Sequence, residues 1–172
     1  MPIVHKTFLA TVLFVGCIGG ATEFPKAYAA VELTGARAAQ DIIKLTNRER
    51  IQRKLPPLRV YRHCVSAIAS HVDEMARGRF LSHQGRDGRG ASERYRQYHP
   101  ASRGAGENLA YNTKGTGESF MRQWLRSPAH RGNILSPTYK GIGVSIQANC
   151  SARGAGRRCY YYAGQSFPHE VP

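Results

Sequence analysis

At 172 residues the chain has room for one ordinary domain, and a hydrophobic content of 41% is enough to build a core, which excludes wholesale disorder. Lysine and arginine number 25 against 11 aspartates and glutamates, a net charge of +14. That balance suits an anionic partner, such as an acidic envelope polymer or a phospholipid surface, and equally a plain solvated basic exterior. No run interleaving aromatic and basic residues marks a specific nucleic-acid site.

Residues 1–29 read as an export signal. His5 and Lys6 make a weakly positive start, and residues 8–20 are apolar and small but too short to span a bilayer as a mature helix. Ala27-Tyr28-Ala29 is an A-x-A cleavage pattern, which places the cut after Ala29. A lipoprotein cut before Cys17 is the less favoured alternative, because the apolar run continues past Cys17 and Phe14 is a poor residue three positions before it. The mature chain is then a single domain over 30–172, secreted or periplasmic, with no transmembrane helix. Export permits disulfides, and three cysteines remain: Cys64, Cys150 and Cys159. Cys150 and Cys159 flank a polar loop between two strand-like runs, so a bridge at the base of that loop is the first choice. Cys64 is left as a buried thiol on an apolar helix face, although spacing alone does not decide the pairing.

Residues 34–54 predict a helix, with Ile42, Ile43, Leu45 and Ile51 as its apolar stripe and Asn47, Arg48, Glu49 and Arg50 on its wet side; Pro56-Pro57 ends it. Leu58-Arg59-Val60 is a short extended link. Residues 65–77 predict a second helix on the three-or-four spacing of Val65, Ile68, Ala69, Val72 and Met75. His71 on that helix reads as a satisfied or surface residue. Residues 85–106 form a Gly- and Arg-rich loop with a short helix near 92–98, placed to cover a cleft. Residues 118–126 predict a helix with Thr116 as N-cap, and Ser127-Pro128 reads as the N-cap and first residue of another, which carries His130. Residues 141–148 alternate Ile142, Val144 and Ile146 with Gly or polar residues, and 159–167 are aromatic and β-prone; the two make a hairpin. Trp124 and Tyr160-Tyr161-Tyr162 read as core and sheet face. Helices before and between strands point to an α+β fold.

Several stretches, in this order, resemble the CAP superfamily of cysteine-rich secretory, antigen-five and pathogenesis-related proteins in its bacterial form. They are Asn47-Arg48-Glu49-Arg50, Phe80-Leu81-Ser82-His83, Gly106-Glu107-Asn108-Leu109-Ala110, Trp124 through Leu135, Tyr139 through Val144, and Tyr160 through Phe167. The resemblance covers residues 42–167. It implies a three-layer α–β–α sandwich around a small antiparallel sheet, and a cleft described in the family by two His and two Glu that binds a divalent metal in some members. Carried over, these are His83, His130 and Glu107. The second Glu position is Ser127 here, and a serine cannot supply the missing carboxylate.

Three functions follow from these residues. Two imidazoles can bind Zn²⁺ or a similar ion, with water and Glu107 completing the site. The resemblance implies a binding or interaction module for a lipid or other small ligand at the envelope or outside the cell. The alternative is a metal-dependent hydrolase or protease, with Glu107 as the base acting on a metal-bound water. The third reading is an Arg-rich binder of anionic polymer. Ser127, three residues from His130, is a weak nucleophile candidate beside its capping role.

Overall fold

The computed structural model describes residues 26–151 and 158–169, with side chains from residue 35 onward; residues 1–25, which hold most of the export signal and Cys17, lie outside them. Five helices and four strands follow in the order α1 (Lys26–Gln52), β1 (Arg59–Val60), α2 (Arg62–Gly78), α3 (Ala91–Tyr98), β2 (Ala105–Asn112), α4 (Gly117–Arg126), α5 (Pro128–Leu135), β3 (Gly141–Ser151) and β4 (Arg158–Pro168).

The first helix begins eight residues before the expected start and runs through Ala29. Ala27, Ala29 and Ala30 are strong helix formers, so propensity carries the turn past the cleavage motif. Thr116 caps α4 by accepting the Ser119 backbone N–H at 3.2 Å, and Ser127 caps α5 with Pro128 in its first turn, as the sequence predicts.

The sheet order is β1-β3-β4-β2. Strands β3, β4 and β2 are antiparallel neighbours, whereas the two residues of β1 pair parallel with Gly141 and Ile142, so the expected antiparallel sheet carries a short parallel edge. Cys150 and Cys159 face each other across the β3–β4 hairpin and form the expected disulfide, while Cys64 is a buried thiol on α2.

Strand alternation divides the interior into two layers. On one face Ile142, Val144 and Ile146 of β3 and Ala163 and Phe167 of β4 pack against Ala38 and Ile42 of α1, Phe120 and Trp124 of α4 and Ile134 of α5. On the other, Leu109 and Tyr162 meet Ile68, Val72 and Met75 of α2. Gly143 lets α2 lie directly on the sheet: a Cβ there would fall on the Cys64–Val65 backbone.

One residue of the expected wet side is inside. Arg50 is 1% exposed. Its guanidinium donates to the carbonyls of Pro56, Ile134 and Ser136, each at 2.8 Å, and of Tyr139 at 3.4 Å. It thereby ties the end of α1 to α5 and to the turn before β3. Helical periodicity placed it outside because its acceptors lie far along the chain.

Candidate functional site

The cleft is assembled from four separate pieces of chain. His83 lies just after α2, and its segment is held from both sides. Buried His71 of α2 donates from Nε2 to the Ser82 carbonyl at 2.7 Å, and Arg94 Nη1 of α3 donates to the His83 carbonyl at 3.0 Å. His71 is thus a satisfied structural residue, as expected. Glu107 is the third residue of β2 and points to the α2 side of the sheet, in line with Leu109 and Tyr111.

Both carboxylate oxygens of Glu107 are engaged. His83 Nδ1 lies 2.9 Å from Oε1, and Arg94 Nη2 donates to Oε2 at 2.7 Å. The carboxylate side chain is 4% exposed and the guanidinium 7%, whereas the His83 side chain is 61% exposed. Burial of an ion pair is costly unless the charges are paired and hydrogen-bonded, and here both conditions are met. The hydrogen bond from Glu107, working against burial, raises the His83 pKa above its ordinary value. With Nδ1–H turned to the carboxylate, neutral His83 presents its Nε2 lone pair outward.

His130 reaches the same region from α5. Burial first, and the His83 charge second, lower its pKa, the opposite direction to the shift at His83. Ser127 accepts the backbone N–H of His130 at 3.5 Å, a helix-capping contact. The backbone of α5 is pinned from beneath by a buried amide chain. Asn108 Nδ2 donates to the His130 carbonyl and to Gln165 Oε1, each at 3.0 Å, and Gln165 Nε2 donates to Thr46 of α1 at 2.8 Å. Asn133 Nδ2 donates to Asn108 Oδ1 at 2.9 Å and to the Glu107 carbonyl at 3.2 Å.

The structure therefore joins His83 to Glu107 directly and ties the His130 backbone to Asn108, the residue after Glu107. It also adds Arg94, Asn108, Asn133 and Gln165, which sequence reasoning left without a role. Asn108, Asn133 and Gln165 fall inside the quoted family-like stretches, a signal that could have marked them. Arg94 lies in the Gly- and Arg-rich region and carried no local mark.

Among the described residues no group of three or more His, Cys, Asp or Glu side chains is arranged to hold a metal ion. A divalent ion would have to be held by His83 Nε2 and the His130 imidazole, with Glu107 behind His83 as the acceptor that orients a ligating histidine. Two nitrogens without a third protein ligand make a weak site. A bound ion would supply Lewis acidity to an oxygen ligand.

A sheet held between two helical layers, with an imidazole–carboxylate cleft over one strand edge, defines the class of domain. The sequence model described as CAP, the cysteine-rich secretory protein family, matches residues 43–166. The chain belongs to this family. It is similar to two Bacillus subtilis proteins. It is 29% identical over 103 residues to the uncharacterized protein YkwD, covering 60% of this chain and 40% of the relative. It is 28% identical over 107 residues to the uncharacterized membrane protein YlbC, covering 62% and 31%. The chain thus spans less than half the length of these curated relatives. Among solved structures it resembles an extracellular protein containing a SCP domain from Bacillus anthracis, with a TM-score of 0.70, 23% identity and coverage of 83% of this chain and 43% of that one. An outer surface protein from Borrelia burgdorferi gives a TM-score of 0.63 at 15% identity, covering 77% and 94%. These likenesses show the fold. Among the described residues no helix is long and apolar enough to cross a membrane.

Proposed function

We propose that this chain is an exported binding module whose cleft takes a small polar ligand through the His83 and His130 imidazoles, with a divalent ion as a weak co-ligand. The observation that carries this reading is the placement of Glu107, whose side chain is 4% exposed and bonded through one oxygen to His83 and through the other to Arg94. A general base needs a lone pair within reach of the proton it removes. Here the carboxylate is buried, with one oxygen accepting from a guanidinium and the other bonded to an imidazole, which favours an orienting role over proton abstraction. This favours binding over metal-dependent hydrolysis by Glu107. The polar make-up of the cleft, two imidazoles backed by an ion pair, favours a polar ligand over a lipid chain. Export rests on the A-x-A pattern at Ala27-Tyr28-Ala29.

Equilibrium dialysis against Zn²⁺, paired with turnover assays on a peptide library, tests the reading. One weakly held ion per chain, lost in both His83→Ala and His130→Ala, with no turnover, is the expected result. Turnover abolished by Glu107→Gln would sink it in favour of the hydrolase. Uptake unaltered in both histidine variants would remove the ion from the cleft.

A further inference from the structure

A second site lies on the same sheet face as Glu107, farther along β2. A cavity of about 470 Å³ opens where the chain leaving α2 crosses the far ends of β2, β3 and β4, and its lining includes Arg79, Leu81, Tyr111, Asn149, Tyr160 and Tyr162. Its size falls within the range of about 300–1,000 Å³ usual for small-molecule sites.

Three features show that the cavity walls are set in place. Tyr111 and Tyr162 are direct cross-strand partners with rings stacked at 5.6 Å and 20°. Tyr160 stands beside Tyr111 at 6.4 Å and 49°, so the two rings form a corner. Tyr111 is 47% exposed and Tyr160 38%, which leaves ring surface open to a ligand. Asn149 is fixed by donating to the Ala76 carbonyl at 2.7 Å, and its Oδ1 accepts from Arg79 Nε at 3.3 Å. The Cys150–Cys159 disulfide closes the hairpin beside Asn149 and Tyr160.

Arg79 is the most informative residue. It ends α2 in the left-handed conformation, at φ 54°, a place where glycine is usual. A large charged side chain at that position is there at a conformational cost. Only its Nε is hydrogen-bonded among the described residues, so its two Nη groups remain for a ligand. Among the described residues the cavity lining contains no aspartate or glutamate. The Tyr162 phenol, like any tyrosine near its ordinary pKa of about 10, is an uncharged hydrogen-bonding group at neutral pH.

We propose that this cavity is an acidic-saccharide subsite, in which a pyranose ring lies in the Tyr111–Tyr160 corner and a carboxylate or sulfate on the sugar pairs with Arg79. The phenol and amide groups around the rim suit sugar hydroxyls, and the guanidinium can take a carboxylate in bidentate fashion. The net charge of +14 brings such polymers to the surface, and the cavity selects among them. A flat lipid chain would cover the Arg79 Nη groups without giving them a partner. The site stands apart from the His83 cleft and does not depend on it.

Calorimetric titration with a hexasaccharide of alternating glucuronate and N-acetylglucosamine tests the proposal. Saturable one-to-one binding at millimolar concentration or below is expected. Tyr111→Ala and Tyr160→Ala, which leave the net charge unchanged, should each weaken it about tenfold, the loss expected for one stacking surface. Arg79→Gln should weaken it comparably, and Arg122→Ala, on the outer side of α4, should leave it within about twofold. Thermal melts of each variant establish that the fold is intact, and the two tyrosine variants serve as independent reports. Binding indifferent to both tyrosines and lost equally with Arg122 would overturn the site in favour of diffuse charge attraction. Equal or tighter binding of neutral chitohexaose, or of hexathymidylate, would overturn the acidic-saccharide assignment, as would the absence of saturation with the acidic sugar.

Discussion

Two buried guanidiniums in this domain do opposite work. Arg50, at the end of α1, gives all of its hydrogen bonds to neutral backbone carbonyls and meets no carboxylate. Burial alone shifts it, to below its ordinary pKa. Arg94, on α3, faces the Glu107 carboxylate, which passes the interaction on to an imidazole that is largely in water. The first cluster is closed: among the described residues every partner is main chain. The second is open: its bonds run from the interior outward and end on His83. A buried charge that gives its hydrogen bonds to backbone holds a fold together. A buried charge that orients another side chain toward solvent builds a site.

The sharpest way to break this contrast is at Arg50. Replacement by Met strands carbonyls from three separate segments, and each buried acceptor left unpaired costs about 1–3 kcal/mol. A loss of about 4 kcal/mol in urea denaturation is expected, with Arg50→Lys recovering less than half because an ammonium cannot span the same acceptors. A loss below about 1 kcal/mol would show that the cluster is not the clamp described here. Glu107→Gln comes next. It leaves Arg94 buried without its counter-charge, at a cost of about 3 kcal/mol. The same change should lower the His83 titration midpoint, which an effect on packing alone would not do; an unmoved midpoint would detach Glu107 from His83.

The contrast between the two arginines marks the limit of what the sequence discloses. The apolar spacing of Ile68, Val72 and Met75 made α2 legible, and the alternation of Ile142, Val144 and Ile146 did the same for β3. Those are local patterns, enforced by the period of the element itself. Strand β2, with the sequence Ala-Gly-Glu-Asn-Leu-Ala-Tyr-Asn, has no β-branched residue and reads as a turn and an apolar step. It is a strand because all eight of its residues pair with β4, a non-local cause. Arg50 and Arg94 were illegible for the same reason, since their partners lie up to 89 positions away. His83, Glu107 and His130 could be named in advance only through their likeness to a family. The tyrosine run was half legible: Tyr162 is sheet face and buried, but Tyr160 lines an open cavity.

A smaller effect is expected where the open cluster meets the sheet. Asn133→Ala removes the bonds to Asn108 and to the Glu107 carbonyl, for about 1.5 kcal/mol. Because Asn108 also holds the His130 carbonyl, the His130 ring resonances should move in an NMR spectrum while those of His71, anchored on the other side of the sheet, stay in place. Equal movement of both would mean that the loss spreads through the whole fold and not through the amide chain.

The smallest and most discriminating effect is the pH dependence of the two cleft imidazoles. The folded pKa of His83 is raised, chiefly by the hydrogen bond with Glu107, so its contribution to stability is fully present below the unfolded value of about 6.5 and is lost as the pH climbs through the folded one. His130 runs the other way. Its folded pKa is lowered by burial and by His83, so its contribution is present above about 6.5 and is lost as the pH falls through its folded value. The two therefore oppose each other across about pH 6.5. His83→Ala should tilt the profile toward greater stability at high pH, and His130→Ala should tilt it toward low pH. Proton NMR titration in the presence of a chelator reads the midpoints directly, His83 above 6.5 and His130 below about that value. Midpoints that coincide, or stand in reverse order, would mean that the imidazoles do not feel one another across a shared cleft, and the open cluster would then end at His83 alone.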